Sequence, residues 1–264
     1  MTAIPEDIQK SRAIVNPMDL TGSTFLVTGG SSGIGQATAI RLSELGARVV
    51  VVGRSRTRLD QTVASLIGDG HLAEAYDLAN VDDIPEWLQK LATGFGKLDG
   101  FVHAAGIAPS RPLRIVTVKA LREILNINLE AAFMLARGFR RKEVCRDGGS
   151  LVFISSVAAL RGQPGLSAYA ATKGGLLSVT RNFATELASD KIRVNCIIPG
   201  FVETPMYQGY RELVDEDKIA QTQAAYPLGI GKPVDVANLI AFLLSDASRW
   251  ITGTALTIDG GYLA

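Results

Sequence analysis

The chain has 264 residues, which suits one α/β domain and leaves little room for a second. With 47% apolar and 20% charged residues it can bury a large core, and a formal charge of +1 gives no reason to expect nucleic acid or an anionic membrane as a partner. The longest apolar runs, such as Val49 to Val52, are strand-sized and far too short to span a bilayer.

Residues 1–22 read as an N-terminal arm, punctuated by Pro5, Pro17 and Gly22. Glu6, Asp7, Lys10, Arg12 and Asp19 interrupt any apolar stretch there, so no secretory signal is read and a cytoplasmic protein is expected. Cys145 and Cys196 fall in different elements and form no CxxC pair, which suits buried free thiols. His71 and His103 lack ligand-like spacing, so no metal is expected.

From residue 23 to 264 short β-rich runs alternate with longer helical ones. Strands are expected at Thr24–Thr28, Arg48–Gly53, Leu72–Tyr76, Gly100–Ala104, Ser150–Ser155, Arg193–Ile198 and Ala255–Ile258. Most are continuous apolar runs, as in strands buried on both faces. Helices are expected over 34–46, 57–67, 81–93, 117–143, 168–189, 206–224 and 233–245. In the first, Ile34, Thr38, Leu42 and Leu45 share one face, and Gly46 supplies the stop. Pro233 opens the last at a position where its missing N–H costs nothing. Repeated β-then-α units with short joints imply right-handed crossovers. The expectation is a single-domain, doubly wound (Rossmann) α/β fold: a parallel seven-stranded sheet with helices on both faces.

The joint between the first strand and first helix reads Thr28-Gly29-Gly30-Ser31-Ser32-Gly33-Ile34-Gly35. Glycines let backbone approach a ligand closely, and a helix N-terminus offers free N–H groups and partial positive charge to a pyrophosphate. The spacing is Gly-x-x-x-Gly-x-Gly, not the general Gly-x-Gly-x-x-Gly, but its place at the front of a βαβ unit points to a dinucleotide. An acid at the end of the second strand would bind a ribose 2′-hydroxyl. Here the strand runs into Gly53-Arg54-Ser55-Arg56, and a guanidinium matches a 2′-phosphate. NADP(H) is therefore favoured as cofactor, with NAD(H) the alternative.

Further on, a buried strand ends at Ser155-Ser156, a loop carries Gly162, Pro164 and Gly165, and a helix then bears Tyr169 and Lys173 at i, i+4. The carboxyl end of the strand and one helix face would bring these polar groups together beside the nucleotide. A free phenol has a pKa of about 10; a neighbouring ammonium favours the phenolate, each factor of ten in acidity being worth about 1.4 kcal/mol. The expectation is a Tyr169 made acidic by Lys173, with Ser156 holding the substrate oxygen.

Over about residues 20 to 262 the sequence resembles the short-chain dehydrogenase/reductase family, and within it the 3-oxoacyl-ACP reductase-like branch. Gly29, Ser31, Ser32, Gly33, Ile34 and Gly35 fall in what looks like the family's cofactor loop, and Ser156, Tyr169 and Lys173 where its catalytic residues belong. The resemblance makes Asn128 the fourth catalytic residue, supporting a water that links Lys173 to solvent. It gives Asp77 and Leu78 contact with the adenine, and Pro199, Gly200, Val202 and Thr204 contact with the nicotinamide carboxamide. Asp259-Gly260-Gly261 matches the family's C-terminal strand exit. His103-Ala104-Ala105-Gly106 departs from the usual Asn-Asn-Ala-Gly; Ala105 and Gly106 would still meet the cofactor through backbone, and His103 reads as a packing residue.

The resemblance implies interconversion of a ketone and a secondary alcohol by hydride transfer, with Tyr169 as general acid or base, Ser156 polarising the oxygen and Lys173 holding ribose hydroxyls; Tyr169 and Lys173 are both expected to contact the cofactor. Residues 201–230 should form a substrate lid, with Met206, Tyr207, Tyr210, Leu213 and Tyr226 among charges such as Arg211, Glu212 and Asp215. They leave open a 3-oxoacyl thioester, a keto-sugar derivative or a small ketone. The family commonly assembles through the helices at 117–143 and 168–189. Leu176, Leu177, Val179, Phe183 and Leu187 exceed what one buried face requires, so a homotetramer or homodimer is expected. The alternative reading is a non-catalytic nucleotide-binding or sensing protein of the same fold.

Overall fold

Side chains of successive strand residues point to opposite faces of a sheet, and here both sets are apolar. Phe25, Val27, Val49, Val51, Val102 and Val152 enter one core, while Leu26, Val50, Val52, Phe101, Leu151 and Phe153 enter another. A sheet of that kind has to be covered on both sides. The computed structural model, which describes residues 16–264, shows how.

The elements in order are β1 (Thr24–Thr28), α1 (Gly33–Glu44), β2 (Arg48–Gly53), α2 (Arg56–Ala64), β3 (Leu72–Ala75), α3 (Ile84–Phe95), β4 (Leu98–His103), α4 (Val118–Leu125), α5 (Ala131–Phe139), β5 (Cys145–Ile154), α6 (Ser167–Glu186), β6 (Ile192–Pro199), α7 (Pro205–Arg211), α8 (Glu216–Ala224), α9 (Pro233–Leu244) and β7 (Ala255–Ile258). The seven strands form one sheet in the order β3-β2-β1-β4-β5-β6-β7, parallel throughout. Helices α1 and α9 pack together on one face; α3, α5 and α6 cover the other. Strand order reverses between β1 and β4, and the carboxyl ends of such strands diverge into a crevice. The expected doubly wound, seven-stranded fold is what forms.

Most element ends lie within three residues of the sequence reading, and three elements depart from it further. The helix expected over 117–143 is two helices joined by a π-helical turn at Asn126–Glu130, and it stops at Phe139. Strand β5 begins at Cys145 rather than Ser150: Cys145 pairs with Leu98 across an irregular register, and Arg146 lies 3.3 Å from Asp99. Those residues are polar, so no apolar run announces the strand. The helix expected over 206–224 breaks into α7 and α8, because Asp215 caps a new start by accepting from the amide of Lys218 at 2.8 Å.

Of the arm expected over 1–22, residues 1–15 lie outside the described residues. Its last part is docked: Leu20 is buried, and the carbonyl of Pro17 accepts from the amide of Ala247 at 3.1 Å. Cys145 and Cys196 are free and buried. Among the described residues no helix is long and apolar enough to cross a membrane.

Candidate active site

The loop after β1 is held open by two close backbone approaches. Gly29 has φ +66°, and a Cβ there would lie 2.8 Å from the amide nitrogen of Ala105. A Cβ on Gly35 would run into the carbonyl of Gly29. Only hydrogen fits at either place. Ser32 precedes α1 in extended conformation without a side-chain cap, and the first turn of α1 carries no acid, so its amides and positive end face the groove.

That groove, about 340 Å³, is lined by Gly29, Ser31, Ser32, Gly33, Ile34 and Gly35 from this loop. Arg54, Asp77 and Leu78 line it from the ends of β2 and β3, and Ala105, Gly106 and Thr204 from beyond β4 and β6. All are residues expected at the cofactor. Among others in the same wall are Gly53, Tyr76, Ile127 and, above all, Arg58. Arg58, in the first turn of α2, joins Arg54 from the β2–α2 joint at the groove, whereas Arg56 turns away to Asp60 at 2.8 Å. The i, i+4 pair of Arg56 with Asp60 was open to sequence reading; which guanidiniums reach the groove was not. A narrow groove with bare glycine backbone, a helix N-terminus and two guanidiniums at one end suits a dinucleotide with a phosphate on its adenosine ribose.

A second cavity of about 470 Å³ adjoins it, with Ile34, Ala104, Gly106, Thr204 and Met206 lining both. Ser156, Tyr169, Lys173, Pro199, Gly200 and Val202 line this second space, so the expected serine, tyrosine and lysine converge on one cavity. Their placement follows from local structure. Ser155, at the end of β5, donates to the carbonyl of Lys173 at 2.8 Å and pins α6 to the sheet. Ser156 accepts from the amide of Ala158 at 3.2 Å.

Asn128 lines neither cavity. It is fully buried in the π-helical turn, accepting from the amide of Ile107 at 2.9 Å and donating to the Ile107 carbonyl at 2.9 Å and to Thr172 Oγ1 at 3.1 Å. Thr172 in turn donates to the carbonyl of Tyr169 at 2.7 Å. Asn128 thereby ties the loop after β4 to α6.

The electrostatics depart from the sequence reading in one respect. Lys173 is 4% exposed, and its ammonium donates to the carbonyl of Ile154 at 2.7 Å, with Nζ 5.6 Å from the centroid of the Tyr169 ring. Burial holds its pKa down at about 8. Burial shifts the Tyr169 phenol upward from its ordinary pKa rather than making it acidic, and the Ser156 hydroxyl opposes that rise. The ammonium is committed to the Ile154 carbonyl, and burial is the first cause of the shift at the phenol.

His103 is the packing residue the sequence suggested. It is fully buried at the end of β4 with Nδ1 3.1 Å from Thr28 Oγ1, and burial drives its pKa down to about 3, so it stays neutral. Thr28 Oγ1 also accepts from the amide of Ala105 at 3.1 Å, fixing the backbone that borders the groove.

Of segment 201–230, expected as the lid, residues between Phe201 and Leu213 line the second cavity, and none from 214 to 230 does. Its ends are tied: Val202 bridges Gly231, Glu203 donates its amide to the Gly231 carbonyl at 2.8 Å, and Gly231 donates to the Phe201 carbonyl at 3.1 Å. Thr204 caps α7, accepting from the amide of Tyr207 at 3.3 Å. Gln163 and Ser110, which the sequence reading missed, also line this wall. Of the apolar set in α6 thought to form an interface, Leu176, Val179 and Leu187 are buried in the core and Leu177 and Phe183 are partly buried against it.

A nucleotide groove opening onto a serine–tyrosine–lysine cluster defines a dinucleotide-dependent oxidoreductase fold. Comparison with known proteins makes this specific: a family model described as Enoyl-(Acyl carrier protein) reductase matches residues 29–263. A 3-oxoacyl-[acyl-carrier-protein] reductase from Thermotoga maritima is 36% identical over 247 residues, 92% of this chain and 99% of that protein. Cis-4-hydroxycyclohexanecarboxylate dehydrogenase from Sinomonas cyclohexanicum is 37% identical over 243 residues, 90% and 96% of the two chains. A solved structure assigned as an NAD(P) dependent gluconate 5-dehydrogenase from Beutenbergia cavernae, with NADP bound at low occupancy, superposes with a TM-score of 0.86 at 33% identity, covering 94% and 99%. The chain belongs to the short-chain dehydrogenase/reductase family and is an oxidoreductase.

Proposed function

We propose that this chain is an NADP(H)-dependent oxidoreductase that interconverts a ketone and a secondary alcohol, with Tyr169 as the general acid or base. The observation that carries the reading is the convergence of Ser156, Tyr169 and Lys173 on a cavity sharing five wall residues with the nucleotide groove. NADP(H), when bound, supplies or accepts the hydride. Arg54 and Arg58 would hold the 2′-phosphate, and the amides at the start of α1 the pyrophosphate.

The chain's own residues do the rest. Ser156 donates to the substrate oxygen and fixes its position. Burial raises the Tyr169 phenol above its ordinary pKa, which favours the protonated form that ketone reduction requires. Lys173, largely protonated below pH 8, stabilises the phenolate left behind and holds ribose hydroxyls. Asn128 positions the loop at Ile107 and α6 at Thr172, and supports the return of the proton from solvent. Segment 201–230 acts as the substrate lid. Assembly of the chain into a homodimer or homotetramer belongs to the same reading, and light scattering in solution tests it.

The experiment is NADPH consumption with a panel of ketones. Wild type turns substrates over; Tyr169→Phe binds NADPH with unchanged affinity and loses at least about a hundredfold in kcat. Equal turnover by the two proteins would remove Tyr169 from the chemistry. Binding of NADPH with no turnover of any ketone by wild type would favour a nucleotide-binding or sensing role.

A further inference from the structure

Two tyrosine rings stand behind the substrate cavity. Neither Tyr226 nor Tyr262 lines it, but each packs against residues that do. The Tyr226 hydroxyl accepts from the amide of Phe201 at 2.9 Å, and a Cβ on Gly200 would lie 2.6 Å from a Tyr226 ring carbon. Tyr226 therefore backs the stretch of wall formed by Gly200 and Phe201.

Tyr262 joins that wall to another. Its ring stacks on Tyr226 with centroids 4.5 Å apart and planes 8° from parallel. The guanidinium of Arg161 also lies over the Tyr262 ring, 4.5 Å from its centroid. The Tyr262 hydroxyl is 3.5 Å from Nε2 of Gln163, which lines the cavity. Arg161 and Gln163 belong to the loop between β5 and α6, so two walls far apart in sequence meet at one side chain outside the cavity. The tail that carries this ring is itself held. The Asp259 carboxylate accepts from the amides of Gly261 at 3.0 Å and Leu263 at 2.9 Å, and Leu228 donates to the Gly260 carbonyl at 3.1 Å.

Resting on the reading of the site as a ketone reductase, we propose that Tyr262 is a positioning residue for the substrate, its ring holding the Gly200–Phe201 wall and the Gln163 loop in register with each other. The ring does this rather than the hydroxyl. A stacked aromatic pair and a cation–π contact are each comparable to an ordinary hydrogen bond, whereas a hydroxyl at 3.5 Å stands at the limit of hydrogen bonding. Ser155 and Lys173 are fastened to each other's segments across β5 and α6, without Tyr262, so the reacting groups keep their places when the ring is lost. The nucleotide groove uses none of Arg161, Gln163, Gly200 and Phe201. Substrate affinity, not chemistry or NADPH binding, is what the ring controls.

Full-length Tyr262→Ala and Tyr262→Phe test this beside wild type. KM and kcat are measured with NADPH and the ketone that wild type reduces fastest, and hydrogen exchange over residues 157–166 and 199–203 is followed by mass spectrometry without substrate. Tyr262→Ala raises KM about tenfold and leaves kcat and the Kd for NADPH within about twofold. Exchange in both segments quickens about tenfold, while β1 and β4 exchange as in wild type. Tyr262→Phe keeps the ring and restores both KM and exchange.

A wild-type KM in Tyr262→Ala overturns the proposal even if the melting temperature falls, because the ring would then serve the fold alone. A loss of kcat at unchanged KM overturns it too, as does a Tyr262→Phe protein as impaired as Tyr262→Ala. Should Tyr262→Ala fail to fold, Tyr262→Leu, which fills the space without a stack or a cation–π contact, is read by the same criteria. Should wild type reduce no ketone, the reductase reading falls and exchange alone decides: rates in the two segments unchanged from wild type overturn the proposal.

Discussion

Replacing Lys173 by methionine should make the protein useless as a catalyst and, at neutral pH, no less stable. The buried ammonium has a pKa of about 8 in the fold against an ordinary value of 10.5. That gap corresponds to about 3 kcal/mol. Between pH 8 and 10.5 the unfolded chain holds this proton while the native state does not, so the contribution of Lys173 to stability rises with pH. The penalty is complete below pH 8 and gone above 10.5. Methionine removes the charge but leaves the Ile154 carbonyl, now 2.7 Å from Nζ, without its donor. Losing that partner costs about 1–3 kcal/mol at every pH. Below pH 8 the variant should therefore be between equal to wild type and about 2 kcal/mol more stable. By pH 10.5 it should be the less stable of the two, the difference having moved by about 3 kcal/mol. Urea unfolding of both proteins across this range measures it, and ionisations common to both cancel. A stability difference that does not change with pH would mean that Lys173 is not penalised by burial.

Gly35→Ala should unfold the nucleotide loop, since its Cβ meets the Gly29 carbonyl; calorimetry should show loss of measurable NADPH binding together with a lower melting temperature. Arg54→Asp should raise the KM for NADPH by roughly ten- to a hundredfold and leave that for NADH within a few-fold, whereas equal effects on both would remove Arg54 from 2′-phosphate recognition. Phe139→Ala should cost about 3–5 kcal/mol in chemical denaturation, because the fully buried ring packs edge-on to Phe101 at a centroid distance of 5.7 Å.

Much of this molecule was legible because its signals are local. β1, β2 and β7 end where the apolar runs end, and Tyr169 and Lys173 share one helix, so their common face follows from spacing alone. Features that depend on distant partners were hidden. The start of β5 at Cys145 rests on pairing with Leu98 and on the Arg146–Asp99 contact, neither of which leaves an apolar pattern. The π-helical turn around Asn128 is fixed by Ile107 and Thr172, far away in sequence. Burial was the most costly omission: reading Lys173 and Tyr169 as a pair predicted an acidic phenol, but desolvation raises that phenol and depresses the lysine. The stacking of Phe201 on Tyr210, with centroids 4.9 Å apart, is likewise a product of packing.

The short tie between Val202 and Gly231 makes the intervening stretch a cassette. Its two ends are fixed within one bridge of each other, so the closure entropy changes only slowly with the number of residues held between them. Its last residues are bound to the rest of the fold, Tyr226 stacking on Tyr262 at 4.5 Å and Leu228 donating to the Gly260 carbonyl at 3.1 Å, so those anchors would have to be kept. Selectivity could then be transplanted or lengthened there without rebuilding the fold, which gives evolution and protein engineering the same point of entry.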